Sequence, residues 1–135
     1  MADGTVNHIG IATLSLDKSE ELWSKLGFSP SDDLINQEQG VKIRYMEGIG
    51  RTRIELLEPI GEESPVGRFI ESSGPGVQQI AVNVADIMST ISELTEIGVR
   101  MVSDEPVIGS DGHRIAFVHP SSAGGVLIEL VESSK

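Results

Sequence analysis

The chain predicts an α+β fold built from two β-α-β-β-β modules, and three observations carry that reading. The order of strand-like and helix-like segments runs twice along 135 residues. Corresponding segments keep their spacing: His8-Ile9-Gly10-Ile11-Ala12 aligns with Gln79-Ile80-Ala81-Val82-Asn83, and Gly27 aligns with Gly98 at the same offset. A glutamate also sits inside an apolar strand near the end of each copy, in Ile54-Glu55-Leu56-Leu57 and in Ile128-Glu129-Leu130-Val131. A repeat of this kind constrains the whole fold and outranks single-residue signals. It divides one domain, residues 1–135, into a first module over about 4–60, a connector helix within about 61–75 and a second module over about 76–135.

Each element has a local reason. Val6 to Thr13 alternates, with Ile9 and Ile11 on one face and His8 and Gly10 on the other, as in a half-buried strand. Asp17 to Leu26 reads as a short helix carrying Leu22, Trp23 and Leu26, stopped by Gly27. Residues 28–40 are polar and irregular, with a strand entering Gln37. Val41–Met46 and Arg51–Leu57 are strands across a Gly48-Ile49-Gly50 turn. Val66–Ser72 is a short helix, broken by Ser73-Gly74-Pro75-Gly76. The second copy offers a strand at Gln78–Val84 and a helix at Ile87–Ile97 with Ile87, Ile91, Leu94 and Ile97 on one stripe. A strand at Val99–Val102, a loop at Pro106–Gly112 and strands at Arg114–His119 and Val126–Glu132 complete it.

Composition excludes several function classes. The net charge of -11 opposes nonspecific nucleic-acid binding and docking on an anionic membrane surface. There are no cysteines, hence no disulfide framework and no thiolate chemistry. No run reaches the roughly 18 apolar residues of a membrane span, and the N-terminus lacks a signal-peptide pattern. The expected setting is the cytoplasm. Aromatic residues are 4% of the chain, so Ile, Val and Leu must build the core.

A carboxylate on a strand that enters a core needs a partner, because unpaired burial costs several kcal/mol or forces protonation. Strand alternation places His8, Gln79, Glu55 and Glu129 on faces opposite their Ile and Leu neighbours. If helices cover the apolar faces, these four residues point into the concave side of the sheet, and pseudo-symmetry gathers them. Such an N/O donor set suits a divalent ion with open positions: Co, Ni, Mn, Zn or Mg. A lone strand His is commonly structural, and a lone Glu can face solvent on a one-sided sheet. The duplication weighs toward the ligand reading, and spacing alone leaves both readings open.

Specific blocks then point to a family. NHIGIA from Asn7, EQGVK from Glu38, IELLEP from Ile54, GVQQI from Gly76, GHRIAFVHP from Gly112 and GGVLIELV from Gly124 run nearly end to end. With them the chain resembles the vicinal oxygen chelate superfamily, and within it the methylmalonyl-CoA epimerases. The resemblance implies a curved eight-stranded mixed sheet around a metal and ligand cavity, and a homodimer. It implies a divalent metal held at His8, Glu55, Gln79 and Glu129, with Glu129 also a catalytic base. The implied reaction is epimerisation of (2R)/(2S)-methylmalonyl-CoA, an acyl-CoA, by α-proton abstraction through a chelated enolate.

Three positions depart from the family pattern. Gln79 stands where epimerases usually carry a ligand histidine. Ile43 stands where some carry a catalytic Glu, which leaves Glu38 and Glu47 as nearby acid/base candidates against the plainer reading of surface charges. Ser121 stands where a Lys is frequent. The loop Ser121-Ser122-Ala123-Gly124-Gly125 offers hydroxyl and backbone N–H donors to a carboxylate, or is a plain Gly-rich turn. Arg100, Arg114, Lys42 and Arg44 are the cations considered for CoA, with Arg114 equally suited to a salt bridge with a strand neighbour. His119, before Pro120, reads as ordering its turn, and His113 as exposed. The alternatives on the same scaffold are a glyoxalase-I-type lyase/isomerase and a non-catalytic small-molecule-binding protein.

Overall fold

The computed structural model describes residues 2–133. They divide into two compact units: His8–Gln78, and the residues through Asn7 together with Gln79 onward.

In the His8–Gln78 unit, strand β1 (Ala2–Ala12) contributes its second half and is followed by helix α1 (Leu16–Lys25). Two short strands, β2 (Ser29–Pro30) and β3 (Leu34–Asn36), precede β4 (Val41–Glu47), β5 (Arg53–Pro59) and helix α2 (Pro65–Ser73). The strands run β2-β4-β5-β1, with β3 also on β4. β1 and β5 are parallel, and β4 is antiparallel to β5. Helix α1 starts where Ser15 caps Lys18 N–H at 3.2 Å, and α2 where Ser64 caps Gly67 N–H at 3.0 Å. Gly67 must be glycine, since a Cβ there would lie 2.5 Å from the Gly61 carbonyl oxygen.

The other unit repeats this plan. Strand β6 (Gly76–Val84), helix α3 (Ile87–Glu96), and strands β7 (Val107–Ile108), β8 (Arg114–Val118) and β9 (Leu127–Glu132) follow in order. They run β6-β9-β8-β7, with β6 and β9 parallel and β8 antiparallel to β9. First and last strands of each module are therefore parallel neighbours, as a βαβ crossover requires. Asp86 caps α3 through Ser89 N–H. The glycines after the two matched helices, Gly27 and Gly98, both take positive φ, +102° and +91°. The N-terminal half of β1 is tied to β6 by Asn7 donating to Asn83 at 3.0 Å and by Asn83 donating to Thr5 at 3.1 Å.

Alternation decides which face is covered. Ile54 and Leu56 pack with Leu16, Met46 and Trp23 against α1. Val84, Leu130, Ala116 and Val118 pack with Ile87 and Ile91 of α3. On the opposite face of the first unit, Ala12, Val41, Ile43, Tyr45 and Leu57 meet Val66, Phe69 and Ile70 of α2. The expected apolar faces are the helix-covered ones, but Leu22 and Leu26 of α1 and Ile97 after α3 stay exposed.

Four details differ from the sequence reading. Nine strands occur among the described residues instead of eight, because β2 and β3 divide one side of β4 between them. The expected strand at Val99–Val102 shrinks to a bridge between Met101 and Val118, flanked by one backbone bond to Phe117 of β8 and one from His119 just beyond it, before the chain bends away. The expected loop at Pro106–Gly112 contains β7, because β-branched Val107 and Ile108 pair with Ile115 and Arg114. His113 is half-buried, not exposed.

A second repeated carboxylate lies three residues after each strand Glu and so on the opposite face. Glu58 Oε1 accepts Leu16 N–H at 2.9 Å, and Glu132 Oε2 accepts Ile87 N–H at 2.9 Å. Each satisfies an orphan donor at the N-terminus of its module's helix and complements the helix dipole. Glu132 also takes two bonds from Arg114, at 2.9 Å each. The Arg114 bonds, then the Ile87 N–H, hold the Glu132 carboxyl below its usual range. A lowered acid stabilises the fold fully above its ordinary pKa and loses that contribution as pH falls through the native value. Glu132→Gln should therefore lower the melting temperature at pH 6. The gap to wild type should narrow between about pH 5 and pH 3; a constant gap in thermal melts would refute the linkage.

Candidate active site

Within the His8–Gln78 unit, β5 is the central strand, and its register sets the site. Glu55 lies opposite Tyr45 of β4 and Gly10 of β1, while Arg53 lies opposite His8. His8 Nε2 comes within 3.3 Å of Glu55 Oε1. Both are buried, at 4% and 5% exposure. A buried carboxylate in an apolar strand has here the partner that desolvation demands. Tyr45, also buried, stands edge-on to the His8 ring at 6.2 Å between centroids. The Arg53 guanidinium lies over the Tyr45 ring, 4.1 Å from its centroid.

In the other unit the matched pair is Gln79 and Glu129. Glu129, 7% exposed, lies opposite Ala81 of β6 and Phe117 of β8. Gln79 Nε2 donates to Glu129 Oε1 at 3.1 Å. That bond orients the amide, whose carbonyl oxygen is the donor it can offer a cation. The two units thus carry pairs of the same design, each a buried glutamate with a nitrogen-bearing side chain from the module's first strand. Among the described residues no three His, Cys, Asp or Glu side chains gather into a ligand cluster; within the units, His8 meets Glu55 and Gln79 meets Glu129. The donor chemistry fits a hard or borderline divalent ion: one imidazole, one amide oxygen and two carboxylates.

The weaker candidates are placed as follows. Glu38 is exposed in the turn at 37–40, past the end of β4 that pairs with Pro59, and is not brought to Glu55. Glu47, exposed, shares the Tyr45 face of β4 and lies 3.9 Å from Arg53. Ile43, at the position where some relatives of the family carry an acid, points to the same face and is buried among Val41, Leu57 and Val66. Arg114 shares the α3 side of β8 with Ala116 and Val118, opposite Glu129's face, and is engaged by Glu132. It is a salt-bridging strand residue and not part of the Glu129 face.

Ser121, Ser122 and Gly124 are exposed in the turn that leads into β9 at Leu127, the register partner of Gln79. Ser122 Oγ accepts Arg100 N–H at 2.9 Å, and His119 Nδ1 accepts Ser121 N–H at 3.0 Å, so His119 orders this turn. Arg44 lies on the α1 side of β4, bonded to Asp33, Asp17 and Glu20. Those bonds, led by Asp33, push its pKa up and hold Asp33 down. The sequence reading missed Arg53 and Tyr45. The available signal was alternation: Arg53 is two residues before Glu55 and so shares its face.

The sequence pattern of the glyoxalase/bleomycin resistance protein/dioxygenase superfamily matches residues 7–117. The chain belongs to that superfamily. It is 36% identical over 131 residues to the mitochondrial methylmalonyl-CoA epimerase of Dictyostelium discoideum, covering 96% of this chain and 78% of the relative. Among solved structures, a hypothetical protein from Bacillus halodurans C-125 superposes with a TM-score of 0.91 at 42% identity, over 97% of this chain and 95% of that one. A variant of Streptomyces coelicolor methylmalonyl-CoA epimerase in complex with 2-nitronate-propionyl-CoA superposes with a TM-score of 0.85 at 38% identity, over 96% of this chain and 97% of that one.

Proposed function

We propose that this chain is a metal-dependent methylmalonyl-CoA epimerase. The observation that supports it best is the matched pair of buried site-face glutamates, Glu55 beside His8 and Glu129 beside Gln79, in a chain similar to epimerases over nearly its full length. The α-proton of such a substrate lies between a thioester and a carboxylate and is already acidic. Proton removal on one side and return on the other inverts the centre.

His8, Glu55, Gln79 and Glu129 are the residues that would hold the ion. When bound, it supplies Lewis-acid polarisation to the thioester carbonyl. Glu129 takes the α-proton, and its bond from Gln79 Nε2 fixes the carboxylate's orientation before it does so. His8 and Glu55 hold each other in place. Ile43, Val41 and Leu57 continue the same strand face with hydrocarbon packed against α2, which gives the Glu55 end of the sheet an apolar, low-dielectric flank. Of the two weaker acid candidates, Glu47 is the one on Glu55's face, and we assign it the proton on the opposite side. The acidic, cysteine-free surface suits action in the cytoplasm, and the family resemblance supports a homodimer.

The test is α-proton exchange of methylmalonyl-CoA in deuterated buffer, followed by NMR, with metal-stripped protein before and after adding Co. Metal-dependent exchange above background is expected. No exchange with any of Co, Ni, Mn, Zn or Mg, in folded protein, would reject the reading, and turnover of a hemithioacetal instead would move it to the lyase/isomerase class. Gln79 offers a neutral amide where imidazole binds late transition metals better. Gln79→His should therefore tighten Co and Ni binding by about tenfold, read by calorimetric titration; unchanged affinity would remove Gln79 from the ligand set.

A further inference from the structure

We infer that Tyr45 is a positioning residue whose ring sets the orientation of the His8 imidazole, an assignment that rests on the metal-ligand reading above. Register places four side chains on one face of three strands in the His8–Gln78 unit. Arg53 of β5 lies opposite His8 of β1, and Glu55 of β5 lies opposite Tyr45 of β4. His8 and Tyr45 therefore stand on the two strands that flank β5, roughly 10 Å of backbone apart by two strand spacings. Their rings lean over β5 and meet at 6.2 Å between centroids and 80° between planes. That is the edge-to-face arrangement that aromatic pairs favour.

The imidazole needs such a wall. Rotation about the outer side-chain bond of a histidine is broad and roughly two-fold, so the rotamer alone does not aim the ring nitrogens. Gly10, the next residue on that face of β1, has no side chain to pack on the ring. Glu55 Oε1 lies 3.3 Å from His8 Nε2. That is longer than the about 2.9 Å of a usual N–H···O bond. It is close to the about 3.0–3.4 Å that separates two donors on one ion at bond lengths near 2.1 Å. An ion taken by both atoms replaces their direct contact, whereas the contact with the Tyr45 ring does not depend on it.

Tyr45 is itself fixed from other sides. It is buried and packs in one cluster with Val41, Ile43, Leu57 and Val66, with Phe69 and Ile70 of α2 against that cluster. The Arg53 guanidinium rests on its ring, 4.1 Å from the centroid, a cation–π contact. The wall is therefore built from paired strands and the helix covering them, and it stands before any ion arrives. Packing of this kind around a ligand fixes its direction and so raises metal affinity.

The test is a calorimetric Co titration of wild type, Tyr45→Phe and Tyr45→Leu, repeated in a His8→Ala background, with the visible absorption bands of the Co-loaded proteins. Tyr45→Leu should weaken Co binding about threefold to tenfold and shift the Co bands, while Tyr45→Phe, which keeps the ring, stays within about twofold. In the His8→Ala background Tyr45→Leu should cost less than about twofold, because the side chain it positions is gone. Equal losses from Tyr45→Leu in both backgrounds would mean that it acts on the fold and not through His8, and would overturn the assignment. So would a loss in Tyr45→Phe as large as in Tyr45→Leu, which would place the role in the hydroxyl. Where His8→Ala binds Co too weakly to titrate, unchanged Co bands in Tyr45→Leu overturn it. If wild type binds no Co, the ligand reading and this assignment fall together. A wild type that binds Co, weakens as expected in Tyr45→Leu and exchanges no α-proton would reject the epimerase reading and keep the assignment.

Discussion

Glu129→Gln should abolish measurable epimerisation, lowering turnover by at least about 10²–10⁴-fold, the usual worth of a positioned general base. The substitution is nearly isosteric. A glutamine at this position can still accept the Gln79 Nε2–H bond that the carboxylate accepts now at 3.1 Å, so the strand pairing with Ala81 and Phe117 should persist. Two things are lost: the basic oxygen that takes the proton and one of two negative charges that neutralise a divalent ion. Turnover and metal affinity should therefore fall together while the melting temperature of the metal-free protein moves by only a few degrees. Proton-exchange NMR, a Co titration and a thermal melt read the three quantities. Near-wild-type exchange would end the role assigned to Glu129. Loss of exchange with unchanged Co affinity would keep it as base and remove it as ligand.

The largest effect on stability is expected from Leu56→Ala. Leu56 is fully buried on the central strand of its unit, packed with Leu16, Met46 and Ile54 and with Trp23 and Phe28. Cutting it back removes hydrocarbon and leaves a cavity that the flanking strands β4 and β1 cannot close, a loss of about 3 kcal/mol. That corresponds to a melting temperature lower by roughly 10 °C for a chain of this size. Leu22→Ala is the control. Leu22 lies on the helix that covers the same core but is 58% exposed, and its truncation should change stability by about 0.5 kcal/mol or less. Similar losses for both in urea titrations would mean that exposure on α1 is not what the structure shows. Because Leu56 and Glu55 are adjacent and face opposite sides of β5, Leu56→Ala also tests whether the site depends on the core behind it.

Sequence alone determined the features that follow from local periodicity. The repeat is legible because matched elements keep both order and spacing, and the two units show the same strand order with first and last strands parallel. His8, Glu55, Gln79 and Glu129 are legible because strand alternation has a period of two and needs no knowledge of the partner strand. Helix ends are legible where a Ser or Asp cap or a following Gly has a short-range reason, as at Ser15, Asp86, Gly27 and Gly98.

Tertiary structure decided whatever depends on register between distant strands. That Arg53 stacks on Tyr45, that Tyr45 lies opposite Glu55, and that Glu58 and Glu132 reach back to helix N-termini are facts of pairing across 8 to 45 residues of chain. Arg114 and Arg44 looked available as anion-binding cations because composition does not record which face a charge shares with a carboxylate; pairing with β9 gives Arg114 to Glu132, and the α1 side of β4 gives Arg44 to Asp33. The edge strands were misread for the same reason. Val99–Val102 and Val107–Ile108 each carry two β-branched residues, and both meet β8, the first only through the Met101–Val118 bridge and the second through two register pairs. Local propensity specifies that a segment is extended, while the hydrogen-bonding partner that fixes it is supplied by the rest of the fold.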